Sequence, residues 1–464
     1  MKSDTIAAVA TGMTNSGISI IHVSGEDAVS VVDSVFVTKS GKHILNNVAS
    51  HTIHYGFIFE NNEMIDEVMV SVMRAPKSFT TEDTVEINCH GGVLVTKKIL
   101  EIIILHGARL AQPGEFTKRA FLNGRIDLTK AEAIMDLIEA KSDYALKSSA
   151  KQLSGVIYDA VTELRKKIIY EIAFIESAID DPEHISLDGY NERLTIVVNE
   201  VLEKVDHLLE QSKNGVLLKN GINTVIVGKP NAGKSSLLNR LVGEEKAIVT
   251  DVAGTTRDVL KESITLHGIC LNLIDTAGIH ETEDKVEKIG VNRAKDFAKD
   301  ADLIVYVVDS SVSLDESDIE IINLIRDKKT IILLNKSDLC SVTDEIVLQN
   351  AMGENHFEIC RIIKTSTKEN TGIDIFEETI KEMFFEGNIS LEDEIYITNL
   401  RQKENLYETK KSLELVKQSL SDGMPEDFYS IDLMNAYVSL GLMIGEEVED
   451  DLVQEIFSKF CMGK

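Results

Sequence analysis

Asn223-Thr-Val-Ile-Val-Gly-Lys-Pro-Asn-Ala-Gly-Lys-Ser235 lies near the middle of a 464-residue chain, and its reading decides the fold. The apolar run up to Val227 is strand-like. It leads into Gly228-Lys-Pro-Asn-Ala-Gly-Lys-Ser235, a complete Gly-x-x-x-x-Gly-Lys-Ser phosphate loop. Gly228 and Gly233 let the backbone turn tightly, so that successive N–H groups face phosphate oxygens. Lys234 supplies charge for the β- and γ-phosphates, and Ser235 offers a hydroxyl to Mg²⁺. Ser236–Leu241 reads as a helix whose positive N-terminal end faces the same anion. Together these features predict a nucleoside triphosphate site.

The totals bound what surrounds that site. A chain of this length predicts two to four domains. Hydrophobic residues at 43% and charged residues at 27% fit globular cores. No apolar run approaches the ~18 residues of a membrane span. The start, Met1–Ile6, carries no secretory apolar segment, so a cytoplasmic location and no membrane association are expected. Cys89, Cys270, Cys340, Cys360 and Cys461 are scattered and never form a Cys-x-x-Cys pair, which argues against a disulfide framework or structural zinc. With 48 basic against 77 acidic residues, the net charge of −29 argues against bulk affinity for nucleic acid, which usually needs a basic protein. Any RNA would have to meet a local patch or a basic partner.

Outward from the loop, three kinds of sequence follow one another. Residues 1–120 alternate strand and helix signals and predict an α+β domain. Gly17–Val23 is a β-rich run followed by an amphipathic Ala28–Phe36. His51–Phe59 and Glu67–Met73 read as strands around an Asn61-Asn62 turn, and Thr84–Asn88 leads through Cys89-His-Gly-Gly92 into a helix over Val93–Leu105. Residues 121–219 show helical periodicity over Ala131–Lys151, Val161–Ala178 and Leu194–Leu209, with Pro182 as the main breaker. The same habit returns over residues 387–464, in Ile397–Leu420, Ile431–Leu440 and Val453–Phe460. Between them, residues 220–386 alternate strand and helix and predict a doubly wound parallel sheet. The fold class expected is multidomain α+β and α/β: a composite all-helical domain built from both flanks, with a Ras-like phosphate-loop domain inserted into it. Helices that merely extend a two-domain chain are the alternative.

The other elements of a GTP site arrive in order, each after a strand. Asp275, Thr276, Ala277 and Gly278 follow Cys270–Ile274, which puts Asp275 near the metal and the Gly278 N–H near the γ-phosphate. Asn335, Lys336 and Asp338 follow Thr330–Leu334. The Asp338 carboxylate can accept guanine N1–H and the exocyclic amine together, whereas adenine would leave it unsatisfied. Ser366, Thr367 and Lys368 fit the last guanine-contacting loop. After Gly278 comes Ile279, which cannot orient water as a glutamine would. The segment Thr250, Asp251, Val252, Ala253, Gly254, Thr255, Thr256, Arg257, Asp258 is rich in oxygen-bearing and turn-forming residues, with no arginine in it obviously aimed at phosphate, so a monovalent cation held by backbone carbonyls would serve to neutralise charge.

Over its whole length the chain resembles the tRNA-modification GTPases of the MnmE (TrmE) family. The residues that carry the likeness are Gly228–Ser236, Thr250–Asp258, Arg119–Leu128 and the terminal Cys461-Met-Gly-Lys464. The resemblance implies a folate-binding and dimerising N-terminal domain. It implies GTP contacts from Asn231, Ala232, Gly233, Lys234, Ser235 and Ser236 and from the four later segments, Thr250–Thr256, Asp275–Gly278, Asn335–Asp338 and Ser366–Lys368. Asn231, Thr250, Val252 and Thr255 would hold K⁺, Ser235 and Thr256 would hold Mg²⁺, and Glu287 would position the attacking water. His22, Glu86, Arg125 and Lys464 would bind 5,10-methylenetetrahydrofolate or a 5-formyl analogue, with His22 standing where the family commonly has arginine. Cys461 is a candidate catalytic thiol. The implied assembly is a homodimer that joins two FAD-carrying MnmG-like subunits into a heterotetramer. That assembly would add a (carboxymethyl)aminomethyl group to C5 of the wobble uridine of certain tRNAs. The rival readings are a GTP-gated ribosome or RNA assembly factor and a folate-dependent transferase in which GTP is only regulatory.

Overall fold

The computed structural model describes residues 4–244, 262–266, 268–274, 301–353, 359–385, 397–446, 450–458, 460 and 463. They form two compact units: Met1–Met135 with Leu153–Tyr170 and Met434–Lys464, and Asp136–Gln152 with Glu171–Leu433.

The first unit is built on a seven-stranded sheet. Its elements are β1 (Ile6–Val9), β2 (Ile18–Ser24), α1 (Ala28–Val35), β3 (Phe36–Val37), β4 (Thr52–Glu60), β5 (Glu63–Met73), β6 (Thr84–His90), α2 (Val93–Leu105), β7 (Arg109–Leu110) and α3 (Glu115–Leu122). The strand order is β3-β4-β5-β6-β2-β1-β7, and every pairing is antiparallel except β1 with β7. Asn61 and Asn62 both have positive φ (49° and 66°), which suits the two-residue turn that joins β4 to β5 with the right-handed twist of the strands. Alternation sets the faces. Val68, Val70 and Val72 are buried under α1 and α2 with Ile21, Ile87 and Ile99, whereas Met69 points away from them. On the opposite face, Ile18, Ile53, Tyr55 and Met69 are about half exposed or more. The helix α4 (Leu128–Glu139) and the last helix of the chain close one end through Leu128, Ala131, Val453 and Phe457. Beyond that helix, Gly463 lies so close to the Val9 carbonyl that a Cβ would collide with it.

The second unit contains α5 (Asp143–Leu153), α7 (Tyr190–Asn220) and a six-stranded sheet; α6 (Val156–Asp180) contributes to both units. The sheet is made of β8 (Ile222–Val227), β9 (Glu262–Leu266), β10 (Ile269–Leu273), β11 (Leu303–Asp309), β12 (Thr330–Asn335) and β13 (Cys360–Lys364), in the order β13-β12-β11-β8-β10-β9. Among the described residues, α8 (Lys234–Glu244) and α11 (Ile373–Phe385) pack on one face, and α9 (Glu316–Ile325) and α10 (Glu345–Met352) on the other. All six residues of β12 are buried, as expected of a central strand covered on both sides. The sheet is therefore doubly wound, with one departure from the all-parallel expectation. β9 pairs antiparallel with β10, because the chain reverses within a tight turn through Gly268 (φ 84°) that leaves no room for a crossover.

The helical flanks differ from the periodic reading at one place. Ala131–Lys151 is two helices, α4 and α5, separated at residues 140–142. Ser142 ends the periodic run by accepting the Ala145 N–H on its hydroxyl (3.1 Å), which is an N-cap bond. The chain continues with α12 (Leu400–Ser421), α13 (Glu426–Ile444) and α14 (Asp450–Ser458). α12 runs along α7, tied by Lys410 to Asp206 at 2.7 Å. Where α7 enters β8 and the chain returns before α12, a buried polar cluster joins the two. Thr398 donates to Asp136 (2.7 Å), Gln152 donates to Thr398 (3.1 Å), and Lys219 pairs with Asp136 at 2.6 Å. Entry to and exit from the nucleotide-type sheet thus lie side by side, the arrangement an insertion requires.

Asp136 carries most of that junction, since its removal leaves the Lys219 ammonium largely buried and unpaired. Asp136→Ala should cost about 3 kcal/mol of stability, and Thr398→Val about 1 kcal/mol. Urea unfolding monitored by circular dichroism checks both, and unchanged midpoints would remove the junction from the account.

Candidate functional site

In the second unit, the phosphate loop runs from the end of β8 to the start of α8. Gly228 (φ 149°) lies against the Val307 carbonyl and Gly233 (φ 105°) against the Asn335 amide; a Cβ at either position would overlap its neighbour. Backbone pressed this closely is what a phosphate cradle needs. Lys234 is largely buried, and its ammonium donates to the Gly228 and Lys229 carbonyls at 2.7 Å each. Burial pushes its pKa below the usual lysine range. Asn231 is exposed in the left-handed conformation (φ 62°), and Ser235 and Ser236 are exposed at the start of α8.

The loops after β12 and β13 meet the Gly228–Ser235 loop at Asn335. Asn335 is 1% exposed; its amide donates to the Ala232 carbonyl (2.8 Å) and accepts the Thr367 N–H (3.1 Å). Lys336, also left-handed (φ 62°), pairs with Asp309 at 2.5 Å. The Ser366 hydroxyl donates to Asp338 at 2.7 Å and holds that carboxyl below the usual carboxylate range. An ionised carboxylate is an acceptor only, and Ser366 is one of its donors here. The structure brings together Asn231–Ser236, Asn335–Asp338 and Ser366–Lys368. Thr250–Thr256, Asp275–Gly278 and Glu287 lie outside the described residues.

A second constellation lies on the N-terminal sheet. His22 on β2 pairs in register with Glu86 on β6, and their side chains are 3.2 Å apart. The imidazole's hydrogen bond holds the Glu86 carboxyl below the usual glutamate range, against the upward push of burial. His22 sits edge-on to Phe116 (5.8 Å between centroids). Phe116 packs with Ile6, Ala8, Ala111 and Phe79, and the Arg125 guanidinium lies 4.9 Å from the centre of the Phe79 ring. Gly463 approaches the neighbouring strand β1 at Val9 and Ala10, next to the residue that pairs with His22. Sequence reading missed Phe79 and Phe116, because a lone aromatic in a polar stretch carries no signal of its own. Their place beside an arginine emerges only when α3 folds back over β1. Cys461 and Lys464 lie outside the described residues. Cys89, Cys270 and Cys360 are buried and Cys340 is exposed. Among the described residues, no helix is long and apolar enough to cross a membrane.

A Gly-x-x-x-x-Gly-Lys-Ser loop between β8 and α8, an Asn-Lys-x-Asp segment at the end of β12 and a doubly wound sheet define a P-loop GTPase. Residues 5–125 match the family described as GTP-binding protein TrmE N-terminus, and residues 128–461 match the MnmE helical domain. Curated relatives include the tRNA modification GTPase MnmE of Lachnoclostridium phytofermentans, 56% identical over 100% of both chains. The protein of that name from Lactobacillus delbrueckii subsp. bulgaricus is 47% identical over 99% of this chain and 98% of its own. Among solved structures, Aquifex aeolicus Era bound to GDP·AlF4⁻ is 29% identical over 42% of this chain and 67% of that one, with a TM-score of 0.27. The G domain of the T. maritima FeoB iron transporter is 25% identical over 35% of this chain and 98% of that one, with a TM-score of 0.26. The chain belongs to the tRNA-modification GTPase MnmE family and is a GTP hydrolase that takes part in tRNA modification.

The His22–Glu86 contact yields a direct measurement. A glutamate whose folded pKa is depressed contributes stability that is present above its unfolded pKa and is lost as pH falls through the folded value. His22→Gln should return the Glu86 pKa toward the ordinary ~4.3, read by carbon NMR of the labelled carboxyl. A Glu86 titration unmoved by the substitution would break the assignment.

Proposed function

We propose that this chain couples K⁺-activated GTP hydrolysis to addition of a (carboxymethyl)aminomethyl group at C5 of the wobble uridine of certain tRNAs, acting with a separate FAD-containing MnmG-like partner. The observation that carries the reading is the grouping on the N-terminal sheet. A carboxylate, an imidazole, two rings and a guanidinium converge beside the strand that receives the C-terminal tail. This donor set fits a folate. Glu86 would accept N–H groups of the pterin, the Phe116 side would present an apolar wall to it, and Arg125, with Lys464, would face the glutamate tail. A folate held there would supply a one-carbon unit.

In the GTPase unit, the narrow cradle at Gly228 and Gly233 fits phosphates. Lys234 would neutralise them, and the Asp338 carboxylate would read guanine. Ser235, with Thr256, would hold Mg²⁺. Asn231, exposed on the loop with an oxygen donor, would join Thr250, Val252 and Thr255 around K⁺, which would supply the positive charge that an arginine supplies elsewhere. Glu287 would orient water, a role Ile279 cannot take. The domain limits proposed are 1–120, 121–219, 220–386 and 387–464, with the third inserted between the two helical parts. The half-exposed Ile18, Ile53, Tyr55 and Met69 on the open sheet face support a homodimer formed through the N-terminal domain, since monomers rarely leave such a strip uncovered. The net charge of −29 is consistent with the partner supplying much of the tRNA-binding surface.

Nucleoside analysis of tRNA from cells lacking this chain tests the central claim. Loss of the C5 substituent at the wobble uridine is expected, and unchanged tRNA would favour an assembly-factor role. Steady-state hydrolysis should be faster in K⁺ than in Na⁺, and equal rates would remove Asn231 as a cation ligand. Asp338→Asn should lose about 10²-fold or more in kcat/KM for GTP and gain activity on xanthosine triphosphate, whose 2-carbonyl suits an amide donor.

A further inference from the structure

Lys229 occupies the first variable position of the phosphate loop, where a solvated side chain is the ordinary expectation. Its side chain is instead about four-fifths buried, and its ammonium lies 2.6 Å from Asp318 and 2.9 Å from Asp315. Asp318 is 1% exposed on α9, and its other oxygen accepts the hydroxyl of the fully buried Tyr306 at 2.7 Å. Asp318 and Asp315 also form a reciprocal capping box at the start of α9, in which the Asp315 N–H donates to Asp318 at 3.0 Å. The buried carboxylate is thus fully engaged, and Lys229 is the cation that balances it.

The same residue also faces the phosphate site through its backbone. Its carbonyl and that of Gly228 together hold the Lys234 ammonium. The Gly228 backbone is wedged against the carbonyl of Val307, the residue after Tyr306. One strand, β11, therefore anchors the Gly228–Lys229 peptide twice: through Val307 beneath Gly228, and through Tyr306 and Asp318 at the end of the Lys229 side chain. We infer that Lys229, gripped by Asp318, which Tyr306 holds in turn, is a positioning residue for GTP hydrolysis: it fixes the peptide whose carbonyls aim the phosphate-binding Lys234. Without the grip, the carbonyls can rotate and Lys234 must be ordered by the nucleotide itself.

Lys234 meets phosphate in both the ground state and the transition state, so disorder there raises KM more than it lowers kcat. In the full-length chain, Lys229→Met should raise KM for GTP and the Kd for GDP about tenfold, with kcat changed less than about threefold. Lys229→Arg, which reaches both carboxylates, should restore both to within about twofold. Asp318→Asn should resemble Lys229→Met, and the double variant should be no worse than the single. Tyr306→Phe, which removes only a hydroxyl, should raise KM about threefold and keeps the test open if the others fold poorly. All rates are taken well below each variant's Tm. A lowered Tm with KM and Kd unchanged, failure of arginine to restore them, or additive single effects would each overturn the assignment.

Discussion

The Asn335 amide sits where the Gly228–Ser235 loop meets the loops after β12 and β13, and no side chain fits opposite it at position 233. Both ends of the amide are satisfied, by the Ala232 carbonyl and the Thr367 N–H, so leaving either unpaired in this buried place would incur its full desolvation cost. One group thereby makes three loops from distant parts of the chain behave as one body. The neighbouring features follow from it. Lys336, the next residue, turns left-handed and finds Asp309, and the Ser337 N–H donates to the Thr365 carbonyl, which brings Ser366 to Asp338. The geometry around Asp338 is thus inherited from the geometry of the Gly228–Ser235 loop.

The N-terminal constellation rests on strand register. His22 and Glu86 are direct partners across β2 and β6, and a one-residue slip would send one of them to the opposite face, under the helices. The loop before β6 is held by a separate buried network. Ser24 and Thr80 share a bond at 2.6 Å, Ser24 donates to Glu82, and Arg119 on α3 bonds Glu82 and Asp4. Asn123 donates to the Thr80 carbonyl at 2.7 Å, which fixes the segment leading to Arg125. Phe79 and Arg125 meet because both of their chain segments are tied to Thr80.

The strongly periodic segments were legible in advance: the Val93–Leu105 helix, the β4–β5 hairpin about Asn61 and Asn62, and the apolar strands before each nucleotide loop. Each buries enough apolar surface in a regular pattern to reveal itself. β1 and β7, at four and two residues, were not legible, since strands that short exist only through their partners. Nor was the break at Ser142, where a single hydroxyl outweighs continuing helical periodicity. His22, Glu86 and Arg125 could be named from resemblance, but the rings that surround them could not.

From the sequence alone came the nucleotide class, because a phosphate cradle needs glycines, a lysine and a hydroxyl at set spacing, and a guanine reader needs a carboxylate at the end of a strand. These are local demands, met within a few residues of chain. The tertiary structure decided what is not local. It set the antiparallel edge strand, the side-by-side entry and exit of the nucleotide sheet, the pairing of His22 with Glu86 and the arrival of Gly463 at β1. It also turned Lys229 inward, because only the folded sheet places the Asp318 carboxylate within reach, where burial makes an unpaired charge too costly to leave alone.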